Sequence, residues 1–354
     1  MDIFTHALLG ATVAHVVVPK RSRLNTRERL LLGGIAATFP DIDFLGFLFN
    51  PLIFLADWHQ GPTHSVVLLP LWAILIGGVF VRLAGRRFAF LEAVFVSGLA
   101  IGSHIVSDLI TAYGTAVLFP LSDRRLSFAT TFVIDPWFTG IVLVGLVLSL
   151  WTARRTVAGI GFVVLCLYVA GQAALQSRAL NVGWASLQAR GLAIEELSAL
   201  AQPLSPFNWK LIGVEGPRYY QAYVNLAGHG SPMRARLGRP AWLKELAGAY
   251  RPPARLTWQV RHRYGDRPEL RTWVERLWED PRFEPFRRFA AYPSLSRIDS
   301  RHGQTCVWFT DLRYDLPALP DTFRYGFCRD GFQQPWHLYR LRYFSEQSRQ
   351  RLSC

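Results

Sequence analysis

The chain has 354 residues, 51% of them hydrophobic and only 18% charged, and its mean hydropathy of +0.17 is high for a soluble protein of this length. Part of it is therefore expected in a bilayer. Lys plus Arg exceed Asp plus Glu by 14. The basic residues are scattered, with no Lys/Arg tract and no zinc-finger spacing, which argues against nucleic acid and for cytoplasmic loops or anionic lipid as the setting of that charge.

In chain order, residues 3–18 predict a first helix. Its positive charge follows the apolar run and no small-residue cleavage site ends it, so it is read as retained rather than as a leader. A second helix over 29–48 is interrupted by "FPDID". Residues 64–84 and 156–176 satisfy the length rule for a spanning helix outright, and 88–110 and 137–153 are nearly as apolar. The fold expected is an α-helical membrane bundle of about six helices followed by a smaller α+β soluble domain.

The turns at 19–29, 82–87 and 153–155 carry ten basic residues, among them Lys20 and Arg21, against two in the turns 44–63 and 111–136, Arg124 and Arg125. The positive-inside rule then places the N-terminus and everything after about residue 177 outside, which in a diderm bacterium is the periplasm. Beyond residue 177 the composition shifts to Arg, Trp, Tyr and Pro. Residues 208–228 predict two strands around a Gly-Pro turn, 239–250 and 269–278 short amphipathic helices, and 303–315, 323–331 and 335–344 further strands. The chain thus divides into a membrane-embedded domain, 1–176, and an extracytoplasmic α+β domain, 177–354, long enough for its own core.

Cys166, Cys306, Cys328 and Cys354 form no CxxC pair, so neither a zinc ribbon nor a thioredoxin-like site is indicated. Cys166 lies in an apolar run and reads as inert packing. Cys306 and Cys328 would pair in an oxidising compartment, and two thiols on neighbouring strands would look the same in sequence.

The helix at 88–110 should be plain hydrocarbon, yet it contains "SGLAIGSHIVSDLIT". Ser97, His104, Asp108 and Thr111 follow steps of seven, four and three, so they share one face. An unpartnered charge inside a membrane costs at least about 2.5 kcal/mol, which marks such a pair as a functional position; the competing reading is a His–Asp bond stapling two helices. Other candidates gather at the same ends: His6 near the start of the first helix, Asp41 and Asp43 in "FPDID", and His59 and His64 in "DWHQGPTHS". In the topology above, all of them emerge on the outer side. Three or more imidazoles with two or three carboxylates suit zinc, with manganese or iron as alternatives. Asp135 in "VIDPWF" opens the fifth helix as an N-cap, a ligand or a general base. His15 lies off the face of His6, and His229, His262, His302 and His337 lack metal spacing and read as surface or core residues.

The ordered set "THALLG", "FPDID", "HQGPTHS" and "SHIVSDLITAYGT", followed by "PLSDRRLSF" and "IDPWF", resembles the membrane-bound, metal-dependent hydrolase family whose founding members are inner-membrane proteins under LexA control. The resemblance covers about residues 1–176. It implies an inner-membrane helical domain with hydrolase activity and the metal residues His6, Asp41, Asp43, His59, His64, His104 and Asp108. A more distant similarity is to zinc-dependent phospholipase C and the P1-type nucleases, whose HxxxD pair is matched by His104 and Asp108. Their later HxxxE segment has no counterpart here, so one or two ions are expected rather than three. Gln60 stands where family members commonly carry Arg.

The activity expected is hydrolysis of an ester or phosphoester bond in a lipid or lipid-linked substrate at the outer membrane–water boundary. Asp135, Arg124 and Arg125 are the catalytic candidates, the arginines facing an anionic leaving group. Two other classes compete. A structural membrane protein would use the cluster only to staple helices, and a metal or ion transporter would spread its ligands through the membrane depth rather than gather them at one end.

Overall fold

The computed structural model describes residues 1–17, 22–228, 240–301, 303–331, 333–343 and 345–352, with Phe88 described by its backbone alone. Lys20, Arg21, His229, His302 and Cys354 lie outside the described residues. The chain forms two compact units: Met1–Leu48, Trp58–Ala174 and Ala201–Pro206 make the first, and Phe49–Asp57, Leu175–Leu200 and Phe207–Cys354 the second.

The first unit is helical. Its elements are α1 (Ile3–Val17), α2 (Thr26–Thr38) and, after the single-turn α3 (Pro51–Ile53) of the second unit, α4 (Leu69–Leu83), α5 (Phe90–Leu109), α6 (Pro136–Thr152) and the start of α7 (Arg155–Gln188). Asn25 caps α2 in a reciprocal box with Glu28: the Glu28 N–H donates to the Asn25 side chain (3.0 Å) and the Asn25 N–H to the Glu28 carboxylate (2.8 Å). Pro40 has no N–H to continue the ladder, and from Phe39 to Leu48 the chain tightens into a 3-10 helix.

Among the described residues, three helices are long and apolar enough to cross a membrane: Thr26–Leu48, Phe90–Leu109 and Arg155–Gln188. A fourth is gained if Pro51–His64 and Leu69–Leu83 count as one bent span, while Ile3–Val17 and Pro136–Thr152 are shorter. Of the expected bundle of about six helices, up to four are long enough to span, and the expected unbroken span over 64–84 is corrected to a bent one. Pro62 and Pro70 each remove a helical donor, and between them the Ser65 hydroxyl bonds the Phe119 carbonyl, so the chain turns before α4 begins.

Small residues set the packing. A Cβ added at Gly10 would fall 2.3 Å from both the Gly33 carbonyl oxygen and the Ala37 Cβ, so α1 and α2 cross in backbone contact there. That crossing lies about one turn from His6 and brings α1 beside Ala37. Ala36 and Ala37 pack in turn on Ala100, Ile101 and Ile105 of α5. Leu31, Ile35, Leu71, Leu91, Phe95, Trp151 and Leu167 remain exposed, an apolar exterior suited to hydrocarbon.

The second unit carries two sheets, of strand order β1-β2-β3-β4 and β5-β6-β7-β8-β9. The strands are β1 (Glu196–Ala201), β2 (Asn208–Glu215), β3 (Arg218–Asn225), β4 (Gln259–His262), β5 (Pro293–Arg301), β6 (Gln304–Asp311), β7 (Tyr325–Asp330), β8 (His337–Leu341) and β9 (Arg349–Arg351). The predicted hairpin is β2 and β3, antiparallel around Gly216 and Pro217, and the predicted helices are α8 (Ala241–Ala249) and α9 (Pro268–Glu279). A short α10 (Glu284–Phe289) follows. Trp209, Tyr219, Phe283, Phe286, Trp308, Phe309 and Phe327 fill the interior. Cys306 and Cys328 face each other across β6 and β7 and form a disulfide. Cys166, expected as inert packing, is instead exposed on α7.

Candidate metal centre

Five of the seven expected ligands meet at one end of the first unit. His6 comes from α1, Asp41 from the 3-10 segment, His64 from the turn Pro62–His64, and His104 and Asp108 from successive turns of α5. Ligand atoms of His6, Asp41, His104 and Asp108 all lie within 4.8 Å of one another. The Nε2 of His64 stands 2.9 Å from that of His104, 3.3 Å from Asp108 Oδ2 and 3.9 Å from Asp41 Oδ1. That of His104 is 3.3 Å from Asp108 Oδ2 and 3.7 Å from Asp41 Oδ1, and that of His6 is 3.1 Å from Asp108 Oδ1. The rings of His6 and His104 stack with centroids 3.6 Å apart.

The second nitrogen of each imidazole fixes what the first can do. His104 Nδ1 lies 2.6 Å from the Ala37 carbonyl oxygen, which only accepts, so Nδ1 is assigned the hydrogen and Nε2 the lone pair. His64 Nδ1 faces the Thr63 hydroxyl at 3.0 Å and Asp43 Oδ2 at 3.6 Å, which favours the same tautomer. Two ring lone pairs then oppose each other at 2.9 Å. His6 meets Ser107 through Nδ1 (3.2 Å), and its buried Nε2 has no hydrogen-bond partner. Two buried ring lone pairs that oppose each other without a donor between them call for a cation or a shared proton. Donors bound about 2.0–2.2 Å from a tetrahedral ion stand roughly 3.3–3.6 Å from one another, and the separations here bracket that range. The set fits a divalent ion.

Asp43 and His59 form a second layer. A 3-10 helix turns three residues at a time, so residues two apart leave it on different sides. Asp41 reaches the imidazoles, while Asp43 gathers the loop 59–64: it accepts from His59 Nδ1 (3.2 Å), the Gln60 N–H (3.0 Å) and the Thr63 hydroxyl (3.5 Å), besides facing His64. Such outer partners hold ligand rings in orientation and raise their basicity.

The three residues expected to be catalytic lie elsewhere. Asp135 caps α6, its Oδ1 accepting from the N–H groups of Trp137 (2.9 Å) and Phe138 (3.1 Å) and its Oδ2 from the Tyr168 hydroxyl (2.7 Å). Arg125 donates to the carbonyls of His59 (2.8 Å) and Gly114 (3.1 Å) and so ties the ligand loop down. Arg124 is exposed. His15, set aside in sequence, is buried on Ser149 (3.0 Å). His262 and His337 sit in the sheets, and the metal-holding group found among the described residues includes neither.

Gln60, noted in sequence only as a replacement of the family's usual Arg, and Ser107, not singled out at all, both reach the cluster. Gln60 is 4% exposed, and its amide donates to Asp108 Oδ2 at 2.8 Å. The amino group of Met1 pairs with the other oxygen of Asp108. The available signal was position: Gln60 follows one histidine and precedes another, and Ser107 precedes Asp108.

The profile of the family described as "YdjM inner membrane protein" matches residues 1–179, the part of the chain that builds both the apolar helices and the buried cluster. The uncharacterized protein YfhP of Bacillus subtilis (strain 168) is 28% identical over 143 residues, which are 39% of this chain and 42% of that relative's length. The match therefore spans less than half of the relative. No solved structure matches the chain. With half of its length matched, and that half holding every ligand of the cluster, the chain belongs to the YdjM inner membrane protein family.

Proposed function

We propose that this protein is a multi-pass, inner-membrane, metal-dependent hydrolase that cleaves an ester or phosphoester bond in a lipid or lipid-linked substrate. The observation that carries the reading is the convergence of three buried imidazoles on the buried carboxylate of Asp108 and the part-buried one of Asp41, inside a unit whose exterior is apolar. His6, Asp41, His64, His104 and Asp108 would hold zinc, or manganese or iron. The two oxygens of Asp108 face different imidazoles, which suits one ion or a bridged pair. When bound, the ion supplies a Lewis acid that polarises the scissile oxygen and acidifies water toward neutral pH.

The chain's own residues do the positioning. Asp43 holds the tautomer of His64, and Arg125 fixes the backbone of the ligand loop. The 3-10 segment that turns Asp41 and Asp43 inward leaves Ile42, Leu45 and Leu48 exposed, each at least half accessible. Acyl chains in a bilayer suit that surface. The excess of basic residues in alternate turns, together with a disulfide in the sheet unit, supports a periplasmic C-terminal domain.

The alternative of a helix-stapling network draws on one feature: Gln60 and the Met1 amino group already satisfy both oxygens of Asp108. Elemental analysis of detergent-purified wild type beside His64→Ala and Asp108→Ala separates the two. Near-stoichiometric metal that both substitutions remove supports the hydrolase and directs a screen of lipid esters and phosphoesters. A wild type that holds no metal after reconstitution overturns it.

A further inference from the structure

We infer that Gln60 is a positioning residue of the metal centre, its side-chain amide, braced by Thr115, fixing how Asp108 presents its inner oxygen. The inference rests on the metal reading above. Asp108 Oδ2, the oxygen 3.3 Å from both His64 Nε2 and His104 Nε2, is the one that Gln60 Nε2 bonds at 2.8 Å. An ionised carboxylate only accepts, so it orients the amide with its NH2 inward, and the outward amide oxygen takes the Thr115 hydroxyl at 2.9 Å.

The backbone of the same residue reaches the other carboxylate, its N–H donating to Asp43 Oδ2 at 3.0 Å, while its carbonyl accepts from the Ala116 N–H at 2.9 Å. Gln60 therefore touches the inner and the outer acid at once. It does so with φ at 54°, a left-handed conformation that a non-glycine residue adopts at a cost of order 1 kcal/mol and keeps where its surroundings hold it.

The test is a cobalt(II) titration of the full chain in detergent, followed by visible absorption, for wild type, Gln60→Met, Thr115→Val and the double variant. Methionine keeps the length of glutamine and removes both polar groups. Loss of an outer-layer partner typically weakens metal binding about 10–100-fold; Gln60→Met is expected in that range with an altered cobalt spectrum. Thr115→Val should weaken binding by a smaller factor and add nothing to Gln60→Met, because it acts through the amide. Gln60→Met with wild-type affinity and spectrum overturns the inference, and so does an additive double variant. If Gln60→Met does not purify as a single species, Thr115→Val decides alone, an unchanged spectrum counting against the inference. A wild type that takes up no cobalt removes the metal reading itself, whereas a wild type that binds beside variants that bind equally leaves that reading standing.

Discussion

In the helical unit Leu71, Leu91, Trp151 and Leu167 face outward, while His6, His64, His104 and Asp108 lie within 1% of full burial. The sheet unit reverses this: Trp209, Trp308, Phe309 and Phe327 are buried, and Arg218, Arg267, Arg271 and Arg288 are exposed. The sheet interior needs no special account, since burying aromatic area in water is favourable by itself. In the helical unit apolar side chains gain little from lying inside rather than against lipid, and burying imidazoles and carboxylates is costly. The hydrophobic effect therefore does not account for the cluster, and that contrast can be tested from both sides.

The largest effect expected is at the cluster. Asp108→Ala removes the carboxylate shared by the imidazoles and should lower metal affinity at least about 100-fold, read by chelator competition, with the near-ultraviolet dichroism of the sheet aromatics unchanged. Retained metal would break the contrast. The converse test is Cys306→Ser, which opens a loop of sequence separation 22. It should cost about 3 kcal/mol of sheet-unit stability, visible as a lower melting temperature by tryptophan fluorescence, with metal content unaltered. Asp43→Asn, one layer out, should weaken metal binding about 10-fold without loss of the fold, measured by the same competition.

The smallest effect concerns Lys210, fully buried on β2 with its ammonium donating to the carbonyls of Leu312 and Asp315. Burial lowers its pKa to about 8, against the pull of Asp315 and Asp311. An unfolded lysine titrates near 10.4, so between about 8 and 10 the unfolded chain binds more protons than the folded one. Stability then rises with pH across that window; below it both states hold the proton and the dependence disappears. The melting temperature should climb by a few degrees from pH 8 to 9.5 in wild type and stay flat in Lys210→Met.

Much of the site was legible because charge in an apolar run stands out. His104 and Asp108 four residues apart, and histidines at neighbouring helix ends, predicted a cluster that the structure assembles from His6, Asp41, His64, His104 and Asp108. What sequence could not separate was inner from outer layer, since Asp41 and Asp43 differ only in which side of a 3-10 turn they leave. Gln60 stood out only as a departure from the family's usual Arg, and nothing in sequence tied its amide to Asp108. In the fold, hydropathy reports the solvent around a helix rather than its length: α7 continues to Gln188 through polar helix formers after its apolar stretch ends. β4 and β9 are short, of four and three residues, and β5 mixes polar and apolar positions without clean alternation, so none of them stood out. Prolines explain the shortened spans, and their positions were visible before their effect was.

The 3-10 stretch from Phe39 to Leu48 joins two environments within a few ångströms, acids on one side and bare aliphatic side chains on the other. Hydrocarbon around Ile42, Leu45 and Leu48 would set the depth of the stretch, and Asp41 lies on the same turn. On the proposed metal reading, bilayer thickness would then bear on the His–Asp end, and metal retention is expected to differ between short-chain and long-chain phosphatidylcholine.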